Sequence, residues 1–240
     1  MITIEHTTKA AREARMREVC GALLTYTDKM PGASWSIPAR VTCPVGDKLA
    51  GIAGSTCFGC YADPTRCKRH GGRPTNYCRS NVKHAQWARL SALYRAIADR
   101  DCRREWVAVM VQAIAADGRD YFRWHDSGDV FCRTYLEMIL EVARALPQVR
   151  FWLPTKEARM VREYIADHCA GAIPENVTIR YSRGRVGAHA PASVPGASVI
   201  PAGAPVPDGV LVCRATREKG CGACRACWHA GVREVAYVLH

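Results

Sequence analysis

The chain has 240 residues, a hydrophobic content of 48% and a formal net charge of +12. This length is enough to bury a sizeable core, in one large domain or two small ones. No apolar run approaches the roughly 20 residues that a membrane span needs, and the polar start lacks the apolar centre of a secretion signal. We therefore expect a soluble cytoplasmic protein with no membrane contact, and the charge favours nucleic acid or an anionic small molecule as partner.

The first half of the chain is predicted to be mostly helical around one long loop. An amphipathic helix over 8–24 is followed by a strand over 34–42. A loop rich in Gly, Pro and Cys then covers 43–78, and helices are predicted over 80–99 and 103–116. A loop of this length without secondary structure usually exists to hold something, so 43–78 is a candidate binding segment.

From residue 121 onward, strands and helices alternate. The periodicity predicts strands over 121–129, 149–157 and 176–184, with helices over 130–147 and 158–168 between them. This alternation is typical of parallel strands joined by right-handed crossovers. The sequence therefore predicts an α/β fold, either a partial (β/α) barrel or a mostly parallel sheet with flanking helices and a cysteine-rich C-terminal extension.

The end of the chain has a different composition. Residues 186–209 are rich in Pro, Gly and Ala and are predicted to form a long ordered loop with one short strand. A strand over 209–213 leads to the last cysteines, and a strand over 232–240 ends the chain. We expect an α/β domain over 1–209, including the N-terminal helix and the cysteine-rich loop, with the extension over 210–240 packed on it.

Four of the thirteen cysteines lie close together near the end of the chain: Cys213, Cys221, Cys224 and Cys227. An odd cysteine count without a secretion signal favours metal ligands over disulfides. The CxxCxxC spacing is that of bacterial ferredoxins, whereas zinc more often uses two separated CxxC knuckles. We predict a [4Fe–4S] cluster held by these four residues, with a zinc ion as the alternative cofactor.

A second group of cysteines lies in the long loop, at Cys43, Cys57 and Cys60, and Cys67 and Cys78 extend it. Three thiolates would hold a cubane and leave one iron open for a substrate or cofactor. The same residues could instead form a structural metal site, completed by Cys67 or by a cysteine of the C-terminal run. These residues are therefore a candidate second metal site, with a single cluster shared with the C-terminal cysteines as the alternative.

Polar residues recur where the predicted strands end: His125, Asp126, Ser127, Asp129, Thr155, Lys156, Ser182 and Arg183. Because ligands bind at the carboxyl ends of parallel strands, we expect these residues to share a pocket. Alternation also places Arg123 with His125 on one face, so that a barrel interior lined by them, together with Arg180, would be basic. A structural role is open as well, since Asp129 could cap a helix that begins at Val130.

Five segments, CP…TCFGCYA, FRWHDSGDVF, FWLPTK, IRYSRG and CGACRACW, resemble a phage-encoded family of the gene-product-eighty-eight type. The resemblance covers most of residues 35–230 and implies a viral or prophage origin, so that the cytoplasm would be that of a host cell. The resemblance does not imply a particular reaction.

The loop with three cysteines also resembles, distantly, that of the radical S-adenosylmethionine enzymes, which carry it after the first strand of a partial barrel. Their usual spacing is CxxxCxxC, whereas thirteen residues fill the first gap here. The resemblance implies an open cluster at Cys43, Cys57 and Cys60. It also implies S-adenosylmethionine as a cofactor, with its amino group at the turn Ser127-Gly128-Asp129 and with Arg180 and Arg183 as further contacts.

Three functions follow from these observations. The first is a phage-type iron–sulfur protein on a scaffold like that of the radical enzymes, with catalysis undecided. The second is a radical enzyme with Asp129, His125 and Lys156 as candidate catalytic residues and an auxiliary C-terminal cubane. The third is a basic, zinc-stabilised module that binds nucleic acid, and a host protein is a further candidate partner.

Overall fold

The computed structural model describes residues 8–63, 79–168, 171–191, 193–215 and 219–239. Cys67 and Cys78, which extend the cysteine group of the long loop in the sequence, lie outside these ranges.

The described residues form helices and parallel strands in alternation. The helices are α1 (Lys9–Cys20), α2 (Pro44–Leu49), α3 (Ser80–Ala98), α4 (Arg100–Asp117), α5 (Arg133–Ala145) and α6 (Ala158–His168). The strands are β1 (Ser34–Trp35), β2 (Tyr121–Trp124), β3 (Arg150–Thr155), β4 (Val177–Ser182), β5 (Gly196–Ile200), β6 (Val210–Val212) and β7 (Glu234–Val238). A single turn of 3₁₀ helix covers Ala226–Trp228. None of these helices is long and apolar enough to cross a lipid bilayer.

All seven strands in the described residues belong to one sheet, in the order β1-β2-β3-β4-β5-β7-β6, and every pairing is parallel. The first five strands are neighbours in chain order, as in a partial (β/α) barrel. Helices α2, α3 and α4 lie between β1 and β2 in the chain, α5 lies between β2 and β3, and α6 lies between β3 and β4. The predicted α/β fold with a parallel sheet is therefore confirmed.

The strands are staggered along the sheet. Phe151 at the start of β3 pairs with Val177 at the start of β4. Tyr181, near the end of β4, pairs with Gly196, the first residue of β5. A stagger of this kind accompanies the tilt of strands in a curved, barrel-like sheet.

Helices cover one face of the sheet. Phe122, Trp124 and Phe151 point to this side and are fully or almost fully buried. Trp106 of α4 stacks on Trp124, with ring centroids 6.5 Å apart, and meets Trp35 edge-on at 6.1 Å. This aromatic core fixes the helices against the strands, because large rings bury the most apolar area per residue.

The C-terminal extension covers the opposite face. Trp228 packs edge-on against Trp152 of β3 with ring centroids 5.3 Å apart, in a buried cluster that includes Cys227. The Trp228 indole donates to the carbonyl of Phe122 at 2.9 Å, and its own carbonyl accepts from the Thr178 hydroxyl at 2.9 Å. The last cysteine of the chain is therefore seated directly on the central strands.

Three predicted elements differ from the structure. The strand expected over 34–42 is only two residues long, because Pro38 lacks an amide and Arg40 has a left-handed φ of 70°. The loop expected over 43–78 contains α2, which begins with Pro44 in its first turn. The helix expected from residue 130 begins at Arg133, with Cys132 as its N-cap residue.

Candidate metal and cofactor sites

The four cysteines Cys213, Cys221, Cys224 and Cys227, called the C-terminal set, line one cavity of about 830 Å³. Cys213 follows β6 directly, and its amide donates to the carbonyl of Ala236 on β7 at 2.8 Å. Cys227 lies in the 3₁₀ turn on the sheet. Residues that are up to fourteen positions apart in the chain are thus brought around one space, as the spacing of the sequence predicts.

Glycines shape the loop that carries Cys221 and Cys224. Gly220 and Gly222 have left-handed φ values of 52° and 49°, which other residues adopt only at a cost. The Cys221 amide donates to the carbonyl of Lys29 at 2.7 Å, and the Cys224 amide donates to the carbonyl of Cys221 at 2.9 Å. The loop is therefore a tight turn anchored to the segment before β1.

The thiols of this set differ in their surroundings. Cys224 is exposed, whereas Cys227 is buried and its sulfur lies 3.2 Å from the hydroxyl of the half-buried Tyr237. Burial raises the pKa of Cys227 to about 11, although the Tyr237 hydroxyl and Arg180 act in the opposite direction. Burial, followed by the charge of Cys213, also raises the pKa of Cys221. Such thiols become thiolates when they bind a metal, so binding would release protons.

Arg180 of β4 fixes this part of the extension to the sheet. The side chain is completely buried, and its guanidinium donates to the carbonyl oxygens of Gly196, Ala226, Cys227, His229 and Val232 at 2.6–3.2 Å. Four of these five carbonyls belong to the segment that carries Cys227. Although predicted as a cofactor contact, Arg180 directs its donors to the extension.

The residues Cys43, Cys57 and Cys60, called the first set, also lie together. Cys43 is the N-cap residue of α2, and a Cβ added to Gly46 would lie 3.9 Å from its sulfur and 3.5 Å from that of Cys57. Burial, together with the nearby charges of Asp129, Cys60 and Cys57, raises the pKa of Cys43 to about 12. The three thiols therefore face a common space that Asp129 also borders.

The segment with the first set lies across the carboxyl ends of three strands. After β2, the amide of Asp129 donates to the carbonyl of Thr42 at 3.1 Å. After β3, the carboxylate of Glu157 accepts from the amide of Val45 at 2.8 Å. After β4, the carbonyl of Gly184 accepts from the amide of Thr56 at 2.9 Å. This is the edge at which ligands of parallel α/β sheets bind.

In each set, the described cysteine side chains border a common space, but they do not form a complete set of ligands around one metal position. Within the described ranges, no group of three or more His, Cys, Asp or Glu side chains is arranged to hold a metal ion.

The turn Ser127-Gly128-Asp129 is buried and tightly packed. The Ser127 hydroxyl donates to the carbonyl of Ile37 at 2.8 Å. Gly128 has φ 82°, and a Cβ there would lie 2.4 Å from Cγ1 of Ile37 and 2.7 Å from Oγ1 of Thr42. In this structure, Ser127 and Gly128 therefore join the end of β2 to the segment after β1.

Asp129 links the ends of β2 and β3. One carboxylate oxygen accepts from the amide of Val130 at 2.7 Å and the other from the amide of Lys156 at 2.8 Å. Burial raises the pKa of Asp129 to about 6, although the hydrogen bonds from Thr155, Lys156 and Val130 lower it. The predicted helix cap at Val130 is wrong, because α5 begins three residues later.

His125 does not share the face of Arg123. Its backbone is left-handed, with φ 55°, and its Nε2 lies 2.9 Å from the hydroxyl of Tyr135 on the helix side of the sheet. Arg123 packs instead over the ring of Trp152, on the side of the extension, at 4.4 Å. Burial lowers the pKa of His125 to about 3, and no described residue bonds its Nδ1.

The remaining predicted residues lie around the same edge. The Thr155 hydroxyl, almost fully buried, accepts from the amide of Glu157 at 2.9 Å. Lys156 and Ser182 are half-buried, and Arg183 accepts through its carbonyl from the Thr56 hydroxyl at 2.8 Å. The structure thus brings the strand ends and the first set together.

Tyr237 contacts Cys227 but is not among the residues predicted from the sequence. The alternation in VREVAYV places Val235 and Tyr237 on one face of β7, which was a usable signal. Its partner Cys227 could not be inferred, because the contact depends on how the extension folds back onto the sheet.

The fold and these two sets define an α/β protein with an open parallel sheet that gathers cysteines on one face and at its carboxyl edge. The chain belongs to the Gene product 88 family, whose sequence model matches residues 3–230. The predicted phage gene-product family is thereby confirmed, and the distant resemblance to radical S-adenosylmethionine enzymes stays a prediction. Neither a curated protein nor a solved structure matches the chain.

Proposed function

We propose that this protein is an iron–sulfur protein that holds a [4Fe–4S] cluster at Cys213, Cys221, Cys224 and Cys227 on its partial-barrel scaffold. The observation that carries the proposal is that all four cysteines line one cavity. When bound, the cluster would supply a one-electron couple and a covalent brace between β6, the glycine turn and the 3₁₀ turn.

The composition of the site favours iron–sulfur over zinc. Three ligands at CxxCxxC spacing on one tight turn are a ferredoxin-like arrangement, whereas structural zinc usually takes two separate CxxC pairs. Gly220 and Gly222 give the turn the left-handed residues that such a tight path requires.

Metal and sulfide analysis after anaerobic purification tests the proposal. We expect about 4 Fe and about 4 sulfide ions for each cubane. Cys224→Ser should lose the iron of the C-terminal set, whereas Cys102→Ser, at an exposed thiol on α4, should keep it. Bound zinc without sulfide, or unchanged iron in Cys224→Ser, would contradict the assignment.

A radical S-adenosylmethionine reaction is the second candidate function. It is favoured by one observation, the gathering of Cys43, Cys57 and Cys60 beside Asp129 at the carboxyl edge. Three cysteines would leave one iron of a cluster open for the amino acid part of the cofactor. Lys156 and Arg183 are the nearby cations that could hold its carboxylate, and both lie half-buried at the same edge.

This second candidate has its own test. Reduced, iron-loaded protein incubated with S-adenosylmethionine should yield 5′-deoxyadenosine, and Cys57→Ser should abolish the product while the C-terminal cluster is retained. Absence of 5′-deoxyadenosine from protein that carries both clusters would reject it.

A zinc-stabilised module that binds nucleic acid in the host cytoplasm is the third candidate, and it is supported by the net charge of +12. It predicts zinc without sulfide, together with an affinity for DNA or RNA that falls steeply with salt. Binding that is absent even at low salt would remove it.

A further inference from the structure

We infer that the centre at the C-terminal set is a one-electron carrier tuned for reduction, and not only a brace. This inference rests on the proposed function. It depends on three features of the surroundings, namely a hydrogen bond to one sulfur, three nearby guanidinium groups and the exposure of one ligand.

The first feature is the hydroxyl of Tyr237, which lies 3.2 Å from the sulfur of Cys227. Once Cys227 is a thiolate ligand it has no proton to give, so the phenol must be the donor. The ring of Tyr237 stacks on Trp152, with centroids 6.5 Å apart and planes within 10°, which holds the hydroxyl in place. A hydrogen bond to a ligand sulfur stabilises the more negative, reduced state.

The second feature is the positive charge around the set. Arg180 donates to the carbonyl of Cys227 at 3.0 Å, and Arg123 packs over the ring of Trp152, which belongs to the same buried cluster as Cys227. The Arg225 guanidinium is held over the loop by hydrogen bonds to the carbonyls of Gly222 and Cys224 at 2.6 and 2.9 Å. Fixed cations next to a centre that gains negative charge make its reduction more favourable.

The third feature is the asymmetry between the buried and exposed ligands. Cys227 faces a packed cluster with Trp152 and Trp228, while Cys224 is exposed at the rim of the cavity. The centre would therefore have one edge in contact with solvent. A brace alone gains nothing from an exposed ligand, whereas an electron carrier needs an edge that its donor can approach.

The redox step is simple in its balance. With a cluster bound to the four thiolates, a low-potential one-electron donor, such as a reduced flavin or ferredoxin-type protein, would lose one electron, and the net charge of the centre would change from about −2 to about −3. No bond is made or broken, and no proton moves. The electron leaves by the same edge to an oxidised acceptor.

Potentiometric titration followed by visible absorption and electron paramagnetic resonance tests the inference. We expect Tyr237→Phe to make reduction several-fold to about tenfold less favourable, where tenfold is a fall of about 59 mV for one electron. Arg225→Gln should lower the midpoint in the same direction. Tyr164→Phe removes a buried tyrosine hydroxyl on the helix side of the sheet and should leave the midpoint unchanged.

Iron and sulfide content separates the two levels of the proposal. Wild-type protein without iron and sulfide would overturn the proposed function and this inference with it. A loaded wild-type centre that dithionite cannot reduce would overturn the inference alone, and so would loaded Tyr237→Phe and Arg225→Gln variants with the wild-type midpoint. If Tyr237→Phe fails to load, the midpoint of loaded Arg225→Gln decides.

Discussion

Replacing Arg180 with methionine should release the C-terminal extension from the sheet. The guanidinium is fully buried and donates to five backbone carbonyls, four of them between residues 226 and 232. Methionine has a similar length and would fill part of the space, but it cannot donate a hydrogen bond. The carbonyls would therefore face an apolar side chain.

The size of the effect follows from the number of acceptors. A buried acceptor without a donor costs about 1–3 kcal/mol, and we expect two or three of the five to stay unsatisfied after the segment relaxes. Burying a guanidinium among neutral carbonyls is itself costly, and removing it returns part of that cost. The free energy of unfolding should fall by about 3–4 kcal/mol, which is large for one substitution.

Urea unfolding measures this loss, and alkylation of Cys227 in the native protein shows where it occurs. Cys227 is only 9% exposed in the native structure, so faster alkylation would report opening of the extension. Arg159→Met is the matched control, because Arg159 is exposed on α6 and forms an ion pair with the exposed Glu163, and it should behave as wild type. A loss of less than about 1 kcal/mol in Arg180→Met, with Cys227 still protected, would refute the reasoning.

Two further predictions concern the strand ends. Gly128→Ala should destabilise the protein by about 3 kcal/mol, because its Cβ would lie 2.4 Å from Ile37 at a positive φ, while Gly209→Ala, also left-handed but with open space around it, should cost about 1 kcal/mol in urea unfolding. The pKa of His125 is about 3 when folded and 6.5 when unfolded, so its contribution is complete above about pH 6.5 and is lost as the pH falls towards 3. Unfolding free energies of His125→Gln should therefore fall less steeply with acid than those of wild type, which lose up to about 1.4 kcal/mol per pH unit from this group. Equal slopes would contradict the burial of a neutral imidazole beside Tyr135.

The central strands and helices could be predicted because their patterns are local. Alternation of buried and half-buried residues marks β2, and strongly one-sided helices such as α5 show their apolar positions at regular spacing. The six-residue helix α2 could not be predicted, since it is too short to show a period and begins at a proline. The reversal at His125 also escaped prediction, because a left-handed residue directly after a strand breaks the alternation that placed it with Arg123.

The sequence indicated which cysteines lie together, but not the roles of the polar residues around them. The spacing of the C-terminal set indicated its four members, and the structure places them around one cavity. The roles of Arg180 and Ser127 depend on partners that lie far away in the chain, such as the carbonyl of Cys227 and that of Ile37. From side-chain type and position alone, these residues were predicted to bind a ligand. In the structure, Arg180 and Ser127 instead donate hydrogen bonds to carbonyls of the protein's own backbone.

The two cysteine sets divide the sheet between them, and this bears on where a reaction could occur. The extension covers the face that would line a barrel interior, so Thr178 and Arg180 direct their hydrogen bonds to its carbonyls. The carboxyl edge, where enzymes of this architecture bind their substrates, is bordered by the first set with Asp129 and Lys156. A small-molecule substrate should therefore be sought at the first set. Replacement of a cysteine in the C-terminal set should instead loosen the extension and expose the apolar face of the sheet around Trp152.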